Sequence, residues 1–172
     1  MLDVRFTEIQ RLFKRRVSPG VKRLDRLLKA TSTETELNAF ATVALKRYQK
    51  NMIATTKDTT GLFVAACHRA NAPATAREGL VDVTEYGLHH VGRSSYRKAM
   101  VESAKTGDVD GVVALYEAAV QDGQAASDLL HIAVRSCLAG SEGTKASALF
   151  QAAQASGMAV APATVRLVDS IA

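Results

Sequence analysis

The stretch from Ser95 to Tyr116 recurs 34 residues later as Leu129 to Phe150. At that offset Ala99-Met100 falls on Ala133-Val134, Gly107 on Ser141 beside Gly140, and Leu115-Tyr116 on Leu149-Phe150. A looser copy begins near Lys57, with Phe63-Val64 in its first helix and Asn71 at its turn. Pro162 to Ala172 reads as the first helix of a further unit, or as a cap over the last one. Self-similarity at a fixed period of this length marks a stacked-repeat protein, because one unit cannot bury its apolar face alone. The chain is thereby restricted to small supersecondary units laid side by side.

Inside that period the pattern is helical. Amphipathic stretches are predicted at about 59–71, 75–91, 94–106, 108–121, 127–139, 143–156 and 163–171, separated by Asn71-Ala72-Pro73, Gly92, Thr106-Gly107-Asp108, Asp122-Gly123, Gly140-Ser141 and Gly157. Gly107 stands where a helix C-terminus calls for a left-handed residue, and Asp108 can cap the helix that follows. Connections this short make the paired helices antiparallel neighbours. Three prolines and 29 alanines also favour helix over sheet. The expected fold is all-α, a short α-solenoid of antiparallel helix pairs with an N-terminal helical extension. The extension covers 1–56, and about three pairs plus a terminal helix cover 57–172.

The extension differs from the array in charge. Residues 1–56 hold 12 Lys+Arg against 5 Asp+Glu, a balance of +7, whereas 57–172 hold 10 against 12, a balance of −2. Its cations Arg11, Lys14, Arg15, Arg16, Lys22, Arg23, Arg26 and Lys29 are candidates for docking a partner or contacting phosphate. Leu2, Val4, Phe6, Ile9, Leu12 and Phe13 make the start of the chain amphipathic. Three readings compete for it: a targeting segment, weakened by Asp3 and Glu8, an ordered arm on a partner, and a phosphate-binding tail. After the break at Ser18-Pro19-Gly20, Val21, Leu24, Leu27 and Leu28 predict a short second helix. A third is expected where Thr33 and Glu36 fit a capping box, with Leu37, Phe40, Ala41, Ala44, Leu45 and Tyr48 on one apolar face.

A two-helix unit of this length resembles a pentatricopeptide repeat. The matching features are Tyr96, the turn at Thr106-Gly107, the pairs Leu115-Tyr116 and Leu149-Phe150, and the unit ends Asp122-Gly123 and Ser156-Gly157. The resemblance covers 57–172, and the absence of Trp and Pro signals disfavours the tetratricopeptide alternative. In family members that read RNA, two short polar side chains per unit select one base. Mapped onto this chain, those positions are Gly61, Arg97 and His131 in the first helices and Gly92, Ala126 and Ala161 at the unit ends. Gly and Ala offer no side-chain hydrogen bond, so the code is degenerate and base reading is disfavoured. The acidic array also lacks the electrostatic term that drives non-specific binding. The resemblance further implies an organellar protein, of a mitochondrion or plastid, with the mitochondrial matrix as the expected location. A chain of this size with an eroded code is similar to two kinds of family member. One is a structural subunit attached to the catalytic head of the euglenozoan mitochondrial ATP synthase. The other is a helical-repeat protein of a mitochondrial ribosome or RNA-processing complex.

Catalytic chemistry finds no foothold in the sequence. Cys67, His68, His89, His90, His131 and Cys137 fall in no metal-ligand spacing, and Gly143-Thr144-Lys145 lacks the upstream glycine and strand of a phosphate loop. No enzyme activity, cofactor or metal is expected, and no apolar run approaches the roughly 18 residues of a membrane span. The expected partners are protein subunits of a large complex, the ATP synthase catalytic head first, with RNA contact through the basic extension as the second reading.

Overall fold

The computed structural model describes residues 2–170, and these form two compact units that divide between Val91 and Gly92. The regular structure of the described residues is all helix, with no strand. No helix among them is long and apolar enough to cross a membrane.

The second unit follows the repeat. Helices α8 (Arg93–Lys105) and α9 (Val109–Gln121) pack as one pair, and α10 (Ser127–Ala139) and α11 (Gly143–Ala155) as the next. Helix α10 also lies against α8 and α9, and α12 (Pro162–Asp169) covers α10 and α11. This is a solenoid-like stack of neighbouring pairs. Residue 171, the expected last residue of the terminal helix, lies outside the described residues.

The first unit holds α5 (Lys57–Arg69), which packs on α6 (Pro73–Val81), followed by the single turn α7 (Val83–Tyr86). The one helix expected at 75–91 is thus two. At Asp82 the backbone leaves the helical region (φ −105°, ψ 66°), and its carboxylate accepts from the Glu85 amide at 2.9 Å, so a new helix starts there. Gly87 then ends it at φ +65°.

Residues 2–56 belong to the same unit. Helix α1 (Leu2–Lys14) packs on α2 (Val21–Ala30), and α2 packs on α5. The Thr33–Glu36 capping box is present and starts α3 (Glu34–Glu36), which runs through a π-helical turn at Leu37–Ala41 into α4 (Thr42–Lys50). Leu37, Ala41, Ala44, Leu45 and Tyr48 are buried as the spacing requires, whereas Phe40 of the same expected face is only half-buried, against Phe6. The Tyr48 hydroxyl donates to the Gly20 carbonyl at 3.4 Å, so the end of α4 returns to the start of α2. Helices α2 and α3–α4 are therefore a further antiparallel pair. The first helices of the pairs, α2, α5, α8, α10 and α12, begin at residues 21, 57, 93, 127 and 162, intervals of 36, 36, 34 and 35.

The same interval governs how helices end. Arg16, Met52, Asn71, Gly87, Gly107, Gly123, Ser141 and Gly157 all take positive φ. Each makes the paired Schellman bonds, as where the Gly107 amide donates to Ala104 O (3.2 Å) and the Asp108 amide to Ser103 O (3.0 Å). A left-handed conformation is strained for a residue with a Cβ, by roughly 1–2 kcal/mol. Met52, at φ 56° and 89% exposed, bears that strain with nothing packed on it in return. Met52→Gly is expected to stabilise the fold by about 1 kcal/mol and Gly107→Ala to destabilise it by a similar amount, both read from denaturant unfolding midpoints.

Burial also makes the fold sensitive to alkali. It pushes the Tyr48 and Tyr86 phenols up to about 12 from 10 and the Cys67 thiol up to about 12 from 9, and raises Tyr96 and Tyr116 as well. Between the unfolded and folded values the unfolded chain loses these protons while the folded chain keeps them, so stability falls as pH rises. Unfolding free energy measured across a pH series should lose no contribution from these groups below about pH 9 and decline steadily from there to about pH 12.

Candidate functional site

Two groups of residues are candidates: the cations of α1 and α2, and the positions mapped to base reading. The cations are placed by the core behind them. Leu24, Leu27 and Leu28 of α2 are fully buried, which leaves Lys22, Arg26 and Lys29, at i, i+4 and i+7, exposed on the opposite face. Phe6 and Ile9 anchor α1, and Arg11, Lys14, Arg15 and Arg16 lie exposed at and beyond its end. None of these seven side chains has a hydrogen-bond or ion-pair partner among the described residues. Arg23 is the exception, being paired with Glu8 of α1. The face is part of a folded unit rather than a free arm. Thr59 Oγ1 of α5 donates to Asp25 Oδ1 of α2 at 2.8 Å, and the Arg69 guanidinium donates to the carbonyls of Leu28 (2.7 Å) and Thr31 (3.1 Å) at the end of α2.

The base-reading positions are engaged within the protein. Arg97 Nε lies 3.6 Å from Asp128 Oδ2, and Arg93 Nη2 lies 2.8 Å from Oδ1 of the same carboxylate, tying α8 to the start of α10. His131 Nδ1 lies 3.0 Å from the buried Thr164 Oγ1, tying α10 to α12. Ser127 Oγ accepts the Ala161 amide at 2.9 Å and pins the start of α12 a second time. Gly61, Gly92, Ala126 and Ala161 bring no polar side chain, and a Cβ at Gly61 would meet nothing within 4 Å. The structure thus places Arg97 in an exposed ion pair, and His131 in a hydrogen bond, between successive first helices.

Asp25 stands at the same register in α2, four residues after its first residue, and does the same to α5 through Thr59. Sequence reading missed it because the N-terminal pair was not recognised as a pair. The signal is present: the doublets Leu27-Leu28, Phe63-Val64, Ala99-Met100 and Ala133-Val134 repeat at intervals of 36, 36 and 34, and all are buried. Cys67, Ser103 and Cys137 likewise share one buried register, three residues before each cap residue. Among the described residues no group of three or more His, Cys, Asp or Glu is placed to hold a metal ion.

No protein-family model matches this chain, and no curated protein is significantly similar to it.

Removing His131 would leave the Thr164 hydroxyl buried without its partner, a cost of about 1–3 kcal/mol. His131→Ala is expected to loosen α12 selectively, measured as faster amide hydrogen exchange in 162–169 with exchange in α8 unchanged.

Proposed function

We propose that this chain is a non-catalytic structural subunit that binds a protein partner within a large assembly of the mitochondrial matrix, and that this partner is the catalytic head of the F-type ATP synthase. One observation carries the reading away from RNA. The side chains that the pentatricopeptide resemblance assigns to base selection, Arg97 and His131, are held by Asp128 and Thr164, and the remaining positions are Gly or Ala. A base edge offered to His131 would have to displace its bond to Thr164, and one offered to Arg97 would compete with the Asp128 carboxylate. Within each unit the stacked helix pairs supply neighbouring helix faces on which a partner can dock. The mitochondrial setting and the choice of partner rest on the resemblance to the pentatricopeptide family.

The exposed, unpartnered cations of α1 and α2 favour a second reading, contact with ribosomal or guide RNA through phosphate. Native purification of the tagged protein from mitochondria, with and without ribonuclease, separates the two. The expected result is retention of ATP synthase subunits whether or not ribonuclease is added, with RNA association unaltered by Arg97→Ala and His131→Ala. Ribosomal proteins that accompany the chain, are lost on ribonuclease treatment, and are released by charge reversal at Lys14, Arg15 and Arg16 would replace it with the second reading.

A further inference from the structure

Between α8 and α10 lies a groove of about 560 Å³ that neither set of candidate residues explains. Val101 and Ala104 of α8 and Ile132 of α10 give it apolar walls. Its ionisable lining consists of Lys105, His131 and Arg135, and no carboxylate is among the lining residues. Lys105 is bonded to Glu102 at 2.8 Å, and His131 uses Nδ1 on Thr164, which leaves its Nε2 outside that bond. Arg135 is exposed and has no ion-pair partner among the described residues. One end is closed by a rigid contact: a Cβ at Gly140 would meet Val109 Cγ2 at 2.7 Å, so the turn after α10 sits directly on the start of α9.

The groove's charge runs against that of its own unit, since residues 92–172 hold 7 Lys+Arg against 8 Asp+Glu. A positive rim on apolar walls is complementary to an apolar side chain flanked by a carboxylate. The volume falls within the roughly 300–1,000 Å³ typical of sites that enclose a ligand group. A nucleic-acid strand fits less well, because the walls present no Phe, Tyr or Trp on which a base would stack. We propose that this groove seats an acidic segment of the partner protein, with an apolar side chain between Val101 and Ile132 and a carboxylate held by Arg135. The inference rests on the reading of the chain as a protein-docking subunit and names the surface that docks.

The test is photo-crosslinking in intact mitochondria from Ile132→p-benzoylphenylalanine, with Lys22→p-benzoylphenylalanine on the basic face as the comparison, and mass-spectrometric mapping of the captured peptide. The expected product from position 132 is a protein segment with Asp or Glu beside a large apolar residue. Its yield should fall roughly tenfold with Arg135→Glu, a change at an exposed position that leaves the melting curve in place. Capture of RNA, of a segment without a carboxylate, or of nothing would overturn the proposal, as would a yield indifferent to Arg135→Glu. An acidic segment from a protein outside the ATP synthase would uphold the groove and overturn the choice of partner.

Discussion

A helix can be followed at once by an antiparallel neighbour only if the chain reverses within about three residues without stranding its last carbonyls. In this protein a left-handed residue closes eight helix ends among those described, and at Asn71, Gly107 and Ser141 it makes the three-residue turn inside a pair. The two Schellman bonds at each end satisfy carbonyls that would otherwise face the next helix unpaired. At six of these ends the residue three before the cap is buried: Tyr48, Cys67, Ser103, Ala119, Cys137 and Ala153. At the three short turns the helix-end geometry brings the next helix back beside the last one. Glycine fills half of the eight left-handed positions, and Arg16, Met52, Asn71 and Ser141 fill the others at some conformational cost.

Within each unit, successive first helices are joined by polar bonds near their starts as well as by apolar packing. Asp25 with Thr59, Arg97 with Asp128 and His131 with Thr164 occupy corresponding places. These contacts lie beside the buried apolar doublets, whose close packing sets how one helix sits on the next. The exposed Arg97–Asp128 pair contributes little to stability, while the bond to buried Thr164 matters more because losing it strands a hydroxyl. Side chains committed to such bonds are poorly suited to reading a ligand from outside. The groove behind them, with Arg135 unengaged, is better suited to that role.

Much of this was legible in the sequence. The offset between Ser95–Tyr116 and Leu129–Phe150 gives the repeat, Gly107 and Asp108 give a turn and a cap, and the Thr33–Glu36 pattern gives a helix start; all three features are present in the fold. The pair formed by α2 and α3–α4 was not legible as a repeat, because its internal turn at 31–33 carries no glycine or positive φ and is closed by hydroxyl and carboxylate capping. The break at Asp82 was hidden for a similar reason, since aspartate inside an amphipathic stretch reads as a solvated face.

The sequence by itself determined that the chain is helical, that its helices come in pairs, and where most of them stop, because periodicity, capping and left-handed turns are local properties of neighbouring residues. Only the tertiary structure decided that the basic N-terminal segment is packed into a unit with α5, that Arg69 caps α2 from 38 residues downstream of Thr31, and that Arg97 and His131 are engaged within the protein. Each of these depends on which side chain of one helix lies opposite which of another. That register is set by the packing of buried apolar faces across the chain, and no short stretch of sequence contains it.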